Sequence, residues 1–89
     1  MAEENIIYVG KKPTMNYVLA IVTQFNNNVD HLTIKARGKS ISKAVDIAEI
    51  TRHKFIQEIK YGAIKLETEV LHGERGDSNV SSIEITITR

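Results

Sequence analysis

A chain of 89 residues with 42% hydrophobic and 26% charged side chains has room for one core, so a single domain over residues 1–89 is expected, neither disordered nor fibrous. It has no cysteine, no apolar run longer than that inside Tyr17 to Val22, and Ala2-Glu3-Glu4 in place of an export signal, which excludes disulfide and thiolate chemistry and predicts a cytoplasmic protein without a membrane partner. The formal net charge is only +1, but between Asn5 and Val45 the six cations Lys11, Lys12, Lys35, Arg37, Lys39 and Lys43 face Asp30 alone; that stretch carries about +5 and the remainder about −4, as in a molecule with one polyanion-facing surface.

Taken in chain order, Asn5-Ile-Ile-Tyr-Val9 is β-branched and aromatic and stops at Gly10, which predicts a strand. Pro13 stands at the first position of a helix, and Met15, Val18, Leu19 and Val22 follow at i, i+3, i+4, i+7. Tyr17, Ile21 and Phe25 widen that stripe, and Asn26-Asn27-Asn28 ends it, so the helix is predicted from Pro13 to Asn27. His31 to Arg37 alternates, with Leu32, Ile34 and Ala36 on one face and His31, Thr33, Lys35 and Arg37 on the other, the pattern of a half-buried strand.

Ser40 is the predicted N-cap of a second helix running from Ile41 to about Glu58. Ile41, Ala44, Val45, Ala48 and Phe55 share one face of it, whereas Ile47 and Ile50 lie off that face and predict contact with something beyond the helix's own sheet. Ala63 to Leu71 and Val80 to Thr88 are two more strands, the second with Ile83, Ile85 and Ile87 in strict alternation, joined by a polar, turn-rich hairpin loop from His72 to Asn79. The order β-α-β-α-β-β predicts an α/β two-layer sandwich, with one mixed four-stranded sheet, two helices, and the first two strands parallel.

Parallel pairing would bring the loops Gly10-Lys-Lys-Pro13 and Arg37-Gly-Lys-Ser40 to the same edge of the sheet, each leading into a helix whose free N–H groups and positive dipole end favour an anion. Lysines at a helix start are locally unfavourable for the same reason, and a bound phosphate would account for them; Lys43, one turn into the second helix, would extend the patch. Surface lysines that only confer solubility are the plainer reading of any one of these residues. Gly38-Lys39-Ser40 lacks the upstream glycine of a nucleotide-binding cradle. Tyr17 stands where it could stack on a base or pack as an ordinary helix residue.

His31, His53 and His72 are too scattered for a metal motif, and Asp46, Glu49, Arg52 and His53 read as ion pairs on a helix surface. No nucleophile has a base and an orienting group in reach, so neither catalysis nor a cofactor is expected.

Three stretches, Tyr8-Val-Gly-Lys-Lys-Pro-Thr-Met-Asn-Tyr-Val-Leu-Ala20, Ile34-Lys-Ala-Arg-Gly-Lys-Ser-Ile-Ser-Lys-Ala-Val-Asp46 and Val80-Ser-Ser-Ile-Glu-Ile85, closely resemble the signature segments of the Alba family of archaeal DNA- and RNA-binding chromatin proteins. The resemblance runs from about Asn5 to the C-terminus. It implies an Alba-like fold, a homodimer with an extended nucleic-acid surface, binding to double-stranded DNA and to RNA, DNA condensation and association with the chromosome. It places Lys11 and Lys12 at the family's paired loop lysines, the first of them an acetylation site in some members. Arg37, Lys39 and Lys43 fall at other basic binding positions, and Phe55 at a dimer-to-dimer contact that builds higher assemblies along DNA.

Two features depart from the family pattern. The hairpin tip Glu74-Arg75-Gly76-Asp77 sets one base, Arg75, between two acids, and Lys39 stands where arginine is common, without arginine's bidentate geometry. Both predict a weaker binder than a highly basic chromatin protein. The rival reading is an RNA-binding protein, or a weak, sequence-preferring DNA binder without a bulk packaging role.

Overall fold

The computed structural model describes residues 5–89; the Ala2-Glu3-Glu4 segment lies outside the described residues. The elements are β1 (Ile6–Tyr8), α1 (Thr14–Asn26), β2 (His31–Arg37), a short 3-10 turn (Gly38–Ser40), α2 (Ile41–Ile50), a π-helical turn (Thr51–Phe55), β3 (Lys60–Gly73) and β4 (Gly76–Thr88). The sheet order is β1-β2-β4-β3, with β1 parallel to β2 and the other pairs antiparallel, so the predicted order and the mixed four-stranded sheet are observed.

One face of the sheet is covered and the other is open. Ile7, Leu32, Ile34, Ile83, Ile85 and Ile87 point into the covered face, where they meet Val18, Ile21 and Phe25 of α1 and Ala44, Ile47 and Ala48 of α2 in one buried cluster. Alternation puts Tyr8, Lys35, Arg37 and Glu84 on the open face, joined across strands by the pairings Tyr8↔Lys35 and Lys35↔Glu84.

Several boundaries differ from the sequence expectation for identifiable reasons. Pro13 is the N-cap of α1, with φ −57° and ψ 147°, and not its first helical residue. The stripe that α1 buries is Tyr17, Val18, Ile21 and Phe25, whereas Met15 and Leu19 stay exposed: the helix is apolar around much of its circumference, and the sheet takes the side carrying the rings. Ser40 makes no side-chain cap; a 3-10 turn leads into α2 in its place.

The second helix does not continue regularly to Glu58. Thr51, fully buried, donates its Oγ1 proton back to the Ile47 carbonyl at 2.7 Å, and the Ile56 N–H reaches the Thr51 carbonyl at 2.8 Å, which widens the last turn to π geometry. Ile47 is fully buried within the chain and Ile50 packs partly against the same core, so these two residues do not call for a second subunit.

The largest correction concerns the hairpin. The segment from His72 to Asn79 is not a loop: the ladder continues to the rung Gly73↔Gly76, leaving Glu74 and Arg75 as the turn, closed by Gly76 at φ +111°. Beyond Glu67↔Ser82 the two strands have no third partner among the described residues and form an arm of about 20 Å, taking 3.3 to 3.4 Å per residue over the remaining rungs.

Candidate nucleic-acid interface

The parallel pairing of β1 with β2 continues one step past the strand, with the Val9 N–H donating to the Lys35 carbonyl at 2.9 Å. Chain direction then fixes the rest. The segments after Tyr8 and after Arg37 leave the sheet at the same end, and because β4 is antiparallel to β2 the arm rises from that end too. Lys11, Lys12, Arg37 and Lys39 are all exposed there. Among the described residues, neither α1 nor α2 has an acid in its first turn or a side-chain cap, so the N–H groups at both helix starts are left without a side-chain acceptor of their own helix. Gly38, at φ +58°, lets the backbone turn from β2 into the helix in a conformation that side chains with a Cβ resist.

The loop after β1 is held by two side chains whose sequence positions suggest ligand contact, Tyr17 and Lys43. Tyr17 is only 9% exposed, its ring packed in the core, and its hydroxyl accepts hydrogen bonds from the Gly10 N–H at 2.8 Å and the Lys12 N–H at 3.2 Å. A ring this buried has little face to offer a base, and its hydroxyl is engaged by the loop backbone. The Lys43 Nζ reaches across from α2 and donates to the Gly10 carbonyl at 2.9 Å and the Lys12 carbonyl at 3.0 Å.

The open sheet face supplies acids that sequence spacing did not place. Arg37 Nη1 lies 3.4 Å from Glu69 on the arm, and Lys35 Nζ lies 3.7 Å from Glu84 while sitting 5.9 Å from the centre of the Tyr8 ring. Only the register of β2, β4 and β3 brings these pairs together. Arg75 is at the far end of the arm, away from the two loops, and next to it the Asp77 carboxylate is hydrogen-bonded to His72 Nδ1 at 2.8 Å.

Phe55 is 44% exposed on the π-helical turn. Beside it is a polar cluster in which Glu49 accepts hydrogen bonds from Tyr61 and Arg52 and pairs with His53 at 3.1 Å, while Arg52 lies 5.7 Å from the centre of the Tyr61 ring. The bonds from Tyr61 first and Arg52 second hold the Glu49 carboxyl down to about 2. Burial, then the bond to Glu49, pushes the Tyr61 phenol up to about 12. Of the predicted helix-surface ion pairs, those of Glu49 with Arg52 and His53 are present, with Tyr61 of β3 as a partner the sequence did not reveal, whereas Asp46 is in none of the described ion pairs.

Comparison with known proteins agrees with this fold. The Alba family model matches residues 5–68. The DNA/RNA-binding protein Alba of Thermoplasma acidophilum is 78% identical over 89 residues, which cover 100% of both chains. Among solved structures, Alba from Thermoplasma volcanium superposes with a TM-score of 0.90 at 75% identity, covering 96% of this chain and 100% of that one. Alba1 from Trypanosoma brucei superposes with a TM-score of 0.82 over 100% of this chain and 72% of its own, and at 20% identity it speaks for the fold alone.

Proposed function

The chain belongs to the Alba family, and we propose that it is a non-enzymatic, dimeric protein that binds the phosphate backbone of double-stranded DNA, and RNA by the same contacts, and contributes to chromosome organisation. The observation that carries this reading is the convergence of two acid-free basic loops, with Lys11, Lys12, Arg37 and Lys39, on one end of the sheet in front of two uncapped helix starts. Such an arrangement neutralises phosphate without reading bases, and it agrees with the DNA/RNA-binding name of the Thermoplasma acidophilum relative. Acetylation of Lys11 would weaken the contact by removing one charge.

Dimerisation is supported by the part of the covered sheet face that the helices do not reach. On β3, Ile64 is 55% and Leu66 73% exposed, yet both pair with core residues of β4, Ile85 and Ile83, and point to the same side. Val45 of α2 adds a further exposed apolar side chain. A second copy of the chain covering this stripe completes the core, and Phe55 then serves contacts between dimers.

The test is the Lys11→Ala/Lys12→Ala variant, titrated with a duplex and with a structured RNA over a range of salt. Loss of two phosphate contacts should flatten the duplex salt dependence, log K against log salt, by roughly 1.8 in slope while leaving the thermal transition in place. A folded double variant with unchanged affinity overturns the phosphate reading.

A further inference from the structure

Two helices send one side chain each into the loop between β1 and α1. Tyr17 of α1 takes two of its N–H groups and Lys43 of α2 takes two of its carbonyls, all four from Gly10 and Lys12. Resting on the phosphate reading above, we propose that Tyr17 and Lys43 are positioning residues that clamp this loop in the form that presents Lys11 and Lys12 to phosphate, and that neither touches nucleic acid.

The chemistry of each partner fits that role. A phenol oxygen has two acceptor lone pairs, and here it receives two N–H donors while its ring is fixed by burial in the core. An ammonium group has three donors, and Lys43 directs two of them at carbonyls at 2.9 and 3.0 Å, well-formed hydrogen bonds from a charged donor. The same ammonium therefore has little freedom to reach a backbone phosphate. Without the clamp the loop would contain a glycine and two adjacent like charges, a combination that favours an open, mobile chain. With it, Lys11 and Lys12 start from one backbone geometry, and binding need not pay for ordering the loop.

A positioning role and a direct-contact role for either residue give different outcomes. A group that touches phosphate itself costs the same affinity whether or not Lys11 and Lys12 are present; a group that acts through them loses its effect when they are gone. Tyr17→Phe is the sharper probe because it removes no charge. It should weaken duplex binding by about fivefold, the effect of roughly one net hydrogen bond, in the otherwise unaltered chain. In the Lys11→Ala/Lys12→Ala background it should cost less than about twofold. Amide exchange provides a second readout: the Gly10 and Lys12 N–H groups should exchange faster in Tyr17→Phe while that of Ile21, in the core, does not. Lys43→Met, from a partly exposed position, repeats the cycle should the buried substitution impair folding; read at about 0.15 M ionic strength, where the field of the lost charge is most screened, its cost should be larger with Lys11 and Lys12 present than without them.

Equal losses in both backgrounds, or no loss from either substitution in the unaltered chain, overturn the clamp while the phosphate reading stands. No loss from Lys11→Ala/Lys12→Ala by itself overturns both.

Discussion

Glu69→Gln should make the protein a tighter DNA binder. Glu69 holds Arg37 at 3.4 Å, and the two side chains are 42% and 61% exposed, so the pair lies in a water-like dielectric. Two unit charges at that separation in water attract by about 1 kcal/mol, and exposed pairs of this kind are worth about 0.2 to 1 kcal/mol net. In the proposed complex Arg37 must exchange this carboxylate for a phosphate, and the carboxylate left beside it repels the same backbone. Neutralising Glu69 removes both costs, which corresponds to a gain of about two- to fivefold in affinity.

The assay is fluorescence anisotropy with a labelled duplex at ionic strengths of about 0.01 M and about 0.15 M, where the Debye length falls from about 30 Å to about 8 Å. The gain should be largest at the lower value and similar on unrelated sequences, because no base is read. Running the same substitution in an Arg37→Ala background tests the route. An unchanged affinity at low salt, or a gain of the same size without Arg37, refutes the reasoning.

Two further outcomes follow from other parts of the molecule. Leu66→Asp places a charge in the uncovered stripe of β3 and, if the proposed dimer uses that stripe, should give monomer in sedimentation at a concentration where the unaltered chain sediments as a dimer; a variant that stays dimeric moves the interface elsewhere. Glu49→Gln should lower the thermal midpoint near pH 7 and converge with the unaltered protein as pH falls. Because the folded carboxyl is held at about 2 against an ordinary value of 4.5, its contribution is complete above about pH 5 and is lost between those two values, so a midpoint difference that persists below pH 2 would contradict it.

Much of the fold could be read from periodicity. The isoleucine series Ile83, Ile85, Ile87 and the alternation from Leu32 to Ala36 each define one buried face, and those faces are the covered side of the sheet. The loop lysines were legible as well, since parallel β1 and β2 oblige both loops to one end. The arm was not legible as strand, because its residues are almost all exposed on both faces and so carry no alternating pattern; the ladder alone holds them. The end of α2 was hidden for a different reason: nothing local to Thr51 distinguishes a surface threonine from a buried one that bonds back to Ile47. Tyr17 and Glu69 illustrate the general limit. Their roles depend on which atoms lie across from them in space, Gly10 and Lys12 in one case and Arg37 in the other, and that information is in the packing and register.

Concentrating cations at one end of a small sheet creates self-repulsion, and the molecule answers it in two chemically different ways. Lys43 is engaged by carbonyls of the loop, neutral acceptors fixed in the fold, whereas Arg37 is engaged by a carboxylate on an exposed side chain. A neutral carbonyl leaves the ammonium charge intact, so Lys43 adds to the positive field at the site while its position supports the loop. A carboxylate offsets part of the charge it binds, so Arg37 is partly masked in the free protein and, in the proposed complex, fully available once a phosphate replaces Glu69. Lys11, Lys12 and Lys39 alone among the end cations have no such intramolecular acid or carbonyl bond among the described hydrogen bonds and ion pairs. A long-range field set by Lys11, Lys12, Lys39 and Lys43 would then guide encounter, and Arg37 would add its contact only once backbone is in place. Removing Glu69 shifts Arg37 from the second group to the first, which is why its effect should be greatest where long-range attraction is least screened.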